Sequence, residues 1–229
     1  MPEDIRYPTW VPGQSLAPFI DYTMLKAEAC ARDIANLCEK ASAHAFHSVC
    51  VSGGWVRMCR EKLSGTNVKV SAVVGFPLGA HATRAKAFEA AAALEDGASE
   101  IDMVLPIGKL IDGENEAVER DIAAVVLAVQ GGALVKVILE TGLLTDEIKI
   151  AGGKIAEAAG ADYIQTSTGF GGNGASEADI RLLRSSVSAA MGIKASGGIR
   201  NADSAIALLK AGANRIGSSS GTAIVRGFV

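Results

Sequence analysis

The chain has 229 residues, of which 49% are apolar, with a formal charge of −3 and a sequence pI near 5.7. That is enough apolar material for one sizeable core. The mildly acidic balance and the lack of any basic run exclude a nucleic-acid surface. No apolar stretch approaches the ~20 residues that span a bilayer, so no membrane association is expected.

The first 13 residues lack the charged-then-apolar pattern of an export signal. Cys30, Cys38, Cys50 and Cys59 form no Cys-x-x-Cys pair. A cytoplasmic protein with reduced thiols is the expectation. The three histidines, His44, His47 and His81, have no ligand cluster near them in sequence, so neither a metal nor a cofactor is expected.

Residues 1–17 read as an N-terminal arm outside the main fold. From there, short apolar runs rich in Val and Ile, bounded by Gly or Pro, predict strands at 18–22, 47–52, 68–75, 99–105, 133–140, 161–167, 192–196 and 214–218. Helical stretches lie between them at 31–43, 83–94, 116–129, 145–159, 177–190 and 202–211, several opened by capping residues such as Thr145 and Ser176. Gly97, Gly131, Gly160, Gly192 and Gly212 each precede a strand and read as left-handed helix ends. Strict alternation with short connections implies a parallel sheet. Eight units in one chain of this length fit a single α/β domain, a (β/α)8 TIM barrel over residues 18–229.

Function in such barrels collects at the C-terminal ends of the strands. Asp102 in Ile-Asp-Met-Val-Leu, Lys136 in Leu-Val-Lys-Val-Ile and Lys194 in Gly-Ile-Lys-Ala each place a charge inside an apolar strand. Charges in three separate core strands can meet only in the barrel interior. A buried ion network that merely fixes the fold is the alternative to a working site. Asp21 and Thr23 close strand one. The turns Ser196-Gly-Gly-Ile-Arg200 and Gly217-Ser-Ser-Ser-Gly221 follow strands seven and eight, the commonest phosphate position in this fold, where glycine backbone and serine hydroxyls can face an anion. Arg200 adds a fork of donors. Lys26 reads as either a pocket-facing or a solvated residue, and Cys50 faces either the barrel or the helices.

The phrases IDYTMLK (20–26), SVCV (48–51), VVGFPLGA (73–80), ASEIDMV (98–104), LVKVILET (134–141), TSTGF (166–170), GIKASGGIR (192–200) and RIGSSSG (215–221) together resemble deoxyribose-phosphate aldolases, across nearly all of residues 16–227. The resemblance implies a class I aldolase that joins acetaldehyde to glyceraldehyde 3-phosphate through a Schiff base. It assigns proton relay to Asp102 and a pKa-lowering ammonium to Lys194. It assigns phosphate contacts to Gly169, Gly197, Gly198, Arg200, Gly217, Ser219 and Ser220, a strand-one polar pair to Asp21 and Thr23, and homodimerisation as a further option.

The family phrase Lys-Thr-Ser-Thr-Gly reads Gln165-Thr-Ser-Thr-Gly169 here. A glutamine has no amine with which to form an imine. Tyr22, Met24 and Ser52-Gly53 also depart from the family's histidine, leucine and Asn-Pro. Three readings stay open: an enzyme on a small phosphorylated sugar or aldehyde with altered chemistry, either an imine moved to Lys194 or Lys136 or acid–base work by Asp102 and Lys194 with no imine; an aldolase whose lysine has been replaced; and a non-catalytic sugar-phosphate binder.

Overall fold

The computed structural model describes residues 7–228. Within them, eight parallel strands close into a barrel in sequence order: β1 (Ile20–Met24), β2 (Ser48–Ser52), β3 (Lys69–Val74), β4 (Glu100–Val104), β5 (Leu134–Ile138), β6 (Tyr163–Gln165), β7 (Gly192–Ser196) and β8 (Arg215–Ser218). Helices α1 (Ala31–Ala43), α2 (Val56–Lys62), α3 (Thr83–Glu95), α4 (Ile107–Ile111), α5 (Asn115–Ala128), α6 (Asp146–Ala158), α7 (Glu177–Ser186), α8 (Ala202–Ala211) and α9 (Gly221–Arg226) surround it. Each strand is therefore covered on its outer face, as a parallel sheet requires.

Strand alternation here carries an unusual assignment of faces. Val49, Val51, Ala72, Val74, Ile101, Met103, Val135, Val137, Ile164, Ile193, Ala195 and Ile216 belong to the hydrophobic core between sheet and helices. The residues between them in sequence point into the barrel: Asp21, Ser48, Ser71, Glu100, Asp102, Lys136, Tyr163, Lys194 and Arg215, all buried. Each fully buried aliphatic contributes about 1.5–3 kcal/mol. The outer shell thus supplies stability that lets the centre be polar.

The predicted caps Thr145 and Ser176 take their places, and Asn201 adds a third. Thr145, Ser176 and Asn201 accept hydrogen bonds from Ile148, Asp179 and Ser204 at the starts of α6, α7 and α8. Two expectations need correction. Helix α7 stops at Ser186 rather than running to 190: Ser185 and Ser186 donate back to Leu182 and Leu183 carbonyls, and Val187 turns extended. Gly192 is not a left-handed helix end but the first residue of β7, small because a Cβ there would lie 2.4 Å from the Tyr163 ring.

Residues 1–6 of the expected arm lie outside the described residues. From Tyr7 onward the chain packs on the N-terminal end of the barrel. The Tyr7 ring lies 4.3 Å from that of Tyr163, Asn214 donates to the Pro8 carbonyl, and Trp10 packs against Phe228. Arg215 lies 5.5 Å over the Tyr163 ring and donates to its hydroxyl. Tyr163 therefore closes the floor beneath the charged centre.

Substituting Gly192→Ala should overpack this floor and cost about 1–3 kcal/mol. Chemical denaturation monitored by circular dichroism reads this directly, and an unshifted midpoint would show that the Tyr163 contact is not tight.

Candidate active site

Three carboxylates and three cations meet inside the barrel. Lys136 Nζ lies 2.5 Å from Glu100, 2.7 Å from Asp102 and 3.5 Å from Asp21. Lys194 Nζ lies 2.5 Å from the other Asp102 oxygen and 2.7 Å from Asp21. Arg215 pairs with Asp21 at 2.9 Å and Glu100 at 3.4 Å. Ser48 and Ser71 donate to Asp21 and Asp102, and His47 meets Glu100 at 2.8 Å from the edge. The strands dictate this meeting. Asp102 and Lys136 sit in register on β4 and β5, and Lys194 and Arg215 do so on β7 and β8.

Burial and pairing pull the ionisations in opposite directions, and pairing wins. Burial would raise the Asp21 and Asp102 carboxyls, but the Lys194 and Lys136 ammonium groups outweigh it and hold both below the ordinary range. Burial would lower Lys194 and Lys136, but Asp102, Asp21 and, for Lys136, Glu100 keep both above the ordinary lysine value. The Cys50 thiol, desolvated and 3.6 Å from Asp102, is pushed up to about 12. Cys50 thus faces the barrel and stays a neutral thiol. Lys194 is an ammonium with one carboxylate on each side.

Above this network opens a cleft of about 290 Å³ at the C-terminal ends of the strands. Asp102, Lys194 and Gln165 form its floor, with Thr23 and Cys50 beside them. Gly169, Gly197, Gly198, Arg200, Gly217 and Ser219 line one side. Gly169, Gly197 and Gly198 have φ of +85°, +88° and +76°, which turns their backbone in a way a side chain would oppose. Ser218 donates to the Ile199 carbonyl at 2.6 Å and so ties the β7 and β8 loops into one rim. Arg200 and Lys26 line the cleft with no carboxylate in ion-pair range among the described residues. Phe76 and Phe170, in edge-to-face contact, line the cleft as well.

Most of the residues singled out in the sequence come together here, with three exceptions. Asp21 and Lys136 do not line the cleft; they are wholly buried beneath it and reach it only through Asp102 and Lys194. Ser220 is also absent from the cleft wall, and its N–H is taken by the Ser218 hydroxyl. Glu100, Arg215 and Tyr163 escaped sequence reading, although they stand two residues from Asp102, Gly217 and Gln165 on the same strand faces. Glu140 escaped it too. This buried carboxylate follows β5 at φ +58° and accepts both the backbone N–H and the hydroxyl of Thr168, pinning the β6 loop.

Lys136→Met should cost about 3–5 kcal/mol in denaturant unfolding, because it leaves three buried carboxylates to share Lys194 and Arg215. The stability–pH profile follows from the same pairs. Carboxylates held low contribute stability that is fully present above the unfolded range, near about pH 4, and is lost as pH falls through their folded values. Lysines held high contribute stability that is fully present below about pH 10 and is lost as pH rises through their folded values. Thermal melts should therefore be flat across neutral pH and fall at both ends. A steep change between pH 6 and pH 8, a range of roughly two units around neutrality, would contradict this pairing scheme.

The chain matches the DeoC/LacD family aldolase model over residues 17–227. It is 52% identical over 213 residues to the deoxyribose-phosphate aldolase of Geobacillus sp. (strain WCH70), covering 93% of this chain and 96% of that protein. A crystal structure from Coccidioides immitis superimposes with a TM-score of 0.92 at 40% identity, over 97% of this chain and 88% of that one. The tetrameric deoxyribose phosphate aldolase of Aeropyrum pernix superimposes with a TM-score of 0.86 at 36% identity, over 93% of this chain and 90% of that one. A closed eight-stranded barrel with a charged interior, matched along almost its whole length by aldolases, places this chain in the DeoC/LacD family, among the carbon–carbon lyases.

Proposed function

We propose that the cleft binds a small phosphorylated sugar or aldehyde and that Asp102 and Lys194 act on its carbonyl as an acid–base pair, with no imine at position 165. The observation that carries this reading is the Lys194–Asp102 pair, 2.5 Å apart at the cleft floor beside Gln165. The Gln165 amide supplies no nucleophile. Lys194, held protonated between Asp102 and Asp21, has no free electron pair for a carbonyl carbon.

An ammonium so placed can donate to a carbonyl oxygen and stabilise an enolate, while Asp102 accepts a proton from the neighbouring carbon. A carboxylate held below its ordinary range is a weak base, so modest turnover is expected. The substrate class is supported by the name of the Geobacillus relative and by the open rim of glycines with Arg200, which has no ion-pair partner among the described residues. Four free thiols suit a cytoplasmic setting. A homo-oligomer belongs to the same reading, since the Aeropyrum pernix relative is described as tetrameric.

Incubation with 2-deoxyribose 5-phosphate or ribose 5-phosphate in D2O should exchange the proton beside the carbonyl, detectable by NMR. Exchange should stop in Asp102→Asn and Lys194→Met. Borohydride with acetaldehyde should label no lysine of the native protein but should label position 165 in Gln165→Lys. A native label on Lys194 would overturn the non-imine route. No exchange with phosphate-ester binding intact would leave a binder rather than an enzyme. Arg200→Ala should weaken phosphorylated ligands roughly ten- to hundredfold, the loss of a charge-assisted bond, as read by calorimetry.

A further inference from the structure

The loop after β6 reaches the cleft through Thr168, Gly169 and Phe170. The backbone N–H groups on either side of Gly169 are taken. That of Thr168 goes to Glu140 at 3.2 Å, and that of Phe170 goes to the Thr168 hydroxyl oxygen at 3.0 Å. The same hydroxyl donates its hydrogen to Glu140. The Gly169 N–H between them has no partner among the described residues.

Glu140 is a costly residue to keep in this place. Its backbone stands at φ +58° and ψ +59°, a left-handed conformation that a Cβ opposes. Its carboxylate is buried and has no cation in ion-pair range among the described residues. A buried carboxylate of this kind depends on the donors that reach it, and Thr168 supplies an N–H and an O–H to the same oxygen. The loop is shaped around that carboxylate: a Cβ on Gly171 would lie 2.8 Å from its carbon. Farther along, the Ala175 N–H donates to the Ser196 carbonyl at 3.0 Å and ties the other end of the loop to β7. Between these two ties Gly169 lies against Gly197, where a Cβ on Gly197 would stand 3.6 Å from the Gly169 Cα.

We infer that Glu140 is a positioning residue for the phosphate end of the ligand: by holding Thr168 it keeps the Gly169 N–H free on the cleft wall beside Gly197, where an anion's oxygen can accept from it. The inference rests on the reading of the cleft as a sugar-phosphate site. Glu140 does not itself line the cleft, and its effect passes through Thr168. Without the carboxylate, the Thr168 and Phe170 ties lose their anchor, and a ligand must then order the turn at its own cost in affinity. The acid–base pair is separate, since Asp102 and Lys194 make no hydrogen bond to Glu140 or Thr168.

Calorimetry with 2-deoxyribose 5-phosphate, and with inorganic phosphate as the fragment that carries only the anion, tests this. Glu140→Ala should weaken both probes by a similar factor, roughly tenfold, the scale of one hydrogen bond. Glu140→Gln should bind both as the native protein does, because one amide oxygen can take both Thr168 donors. Thr168→Val, which removes the hydroxyl link, should weaken both probes, and Thr168→Ser should restore them. Native-like affinities in Glu140→Ala and Thr168→Val would overturn the inference and leave the cleft standing; should Glu140→Ala not fold, Thr168→Val decides alone. A Glu140→Gln variant as weak as Glu140→Ala would overturn the hydrogen-bond clamp, and a loss confined to the sugar phosphate would overturn the assignment to its phosphate end. A native protein that binds neither probe would overturn the underlying reading of the cleft as well.

Discussion

The charged centre of the barrel is the constraint from which the rest follows. Asp21, Glu100 and Asp102 face Lys136, Lys194 and Arg215 in a space that water barely reaches. Removing one ion from water costs several kcal/mol even after relaxation, and only close pairing with further hydrogen bonds returns it. Every member must therefore be present and aimed. This demand fixes the inward residue on most strands, and it leaves the outer faces to aliphatic side chains that stabilise the barrel against its helices.

The same centre sets what chemistry the cleft can do. A lysine between two carboxylates remains an ammonium, and a carboxylate between two ammonium groups remains an anion. Without a ligand neither changes charge near neutral pH, so the resting floor is a fixed electrostatic surface. The rim is built in a different way: left-handed glycines, the Ser218–Ile199 link and the Glu140–Thr168 clamp hold backbone around an open side where Arg200 stands. A fixed floor and a clamped rim position a ligand from both ends, which is how proximity contributes to catalysis.

Much of this was legible in the sequence, for identifiable reasons. Val-Ile runs separated by capped helices announced a parallel barrel, and charges inside such runs could go only to the interior. Asp102, Lys136 and Lys194 announced themselves because their neighbours are apolar. Glu100 and Arg215 did not, because each stands at the edge of its run beside polar residues and looks like an ordinary strand end. The short helices α2, α4 and α9 have too few turns to show a period. Lys136 is placed inside by its charge within an apolar run and Asp21 reads as the end of strand one, but depth along the barrel axis, which separates buried supports from cleft-lining groups, depends on strand stagger.

The glutamine and the ammonium belong to one account. Position 165 adds no ammonium beside Lys194, which shares Asp102 and Asp21 with Lys136 and, for Asp21, with Arg215; in the reading proposed above the lysine is a donor to a ligand's oxygen rather than an attacker of its carbon. The most direct test is the ionisation of Lys194 itself, followed by heteronuclear NMR of labelled lysine, with Lys194→Arg identifying the resonance. The account predicts an amine that stays protonated through neutral pH and titrates above the ordinary lysine value of about 10.4. A neutral Lys194 at or below about pH 8, more than two units under that value, would contradict it.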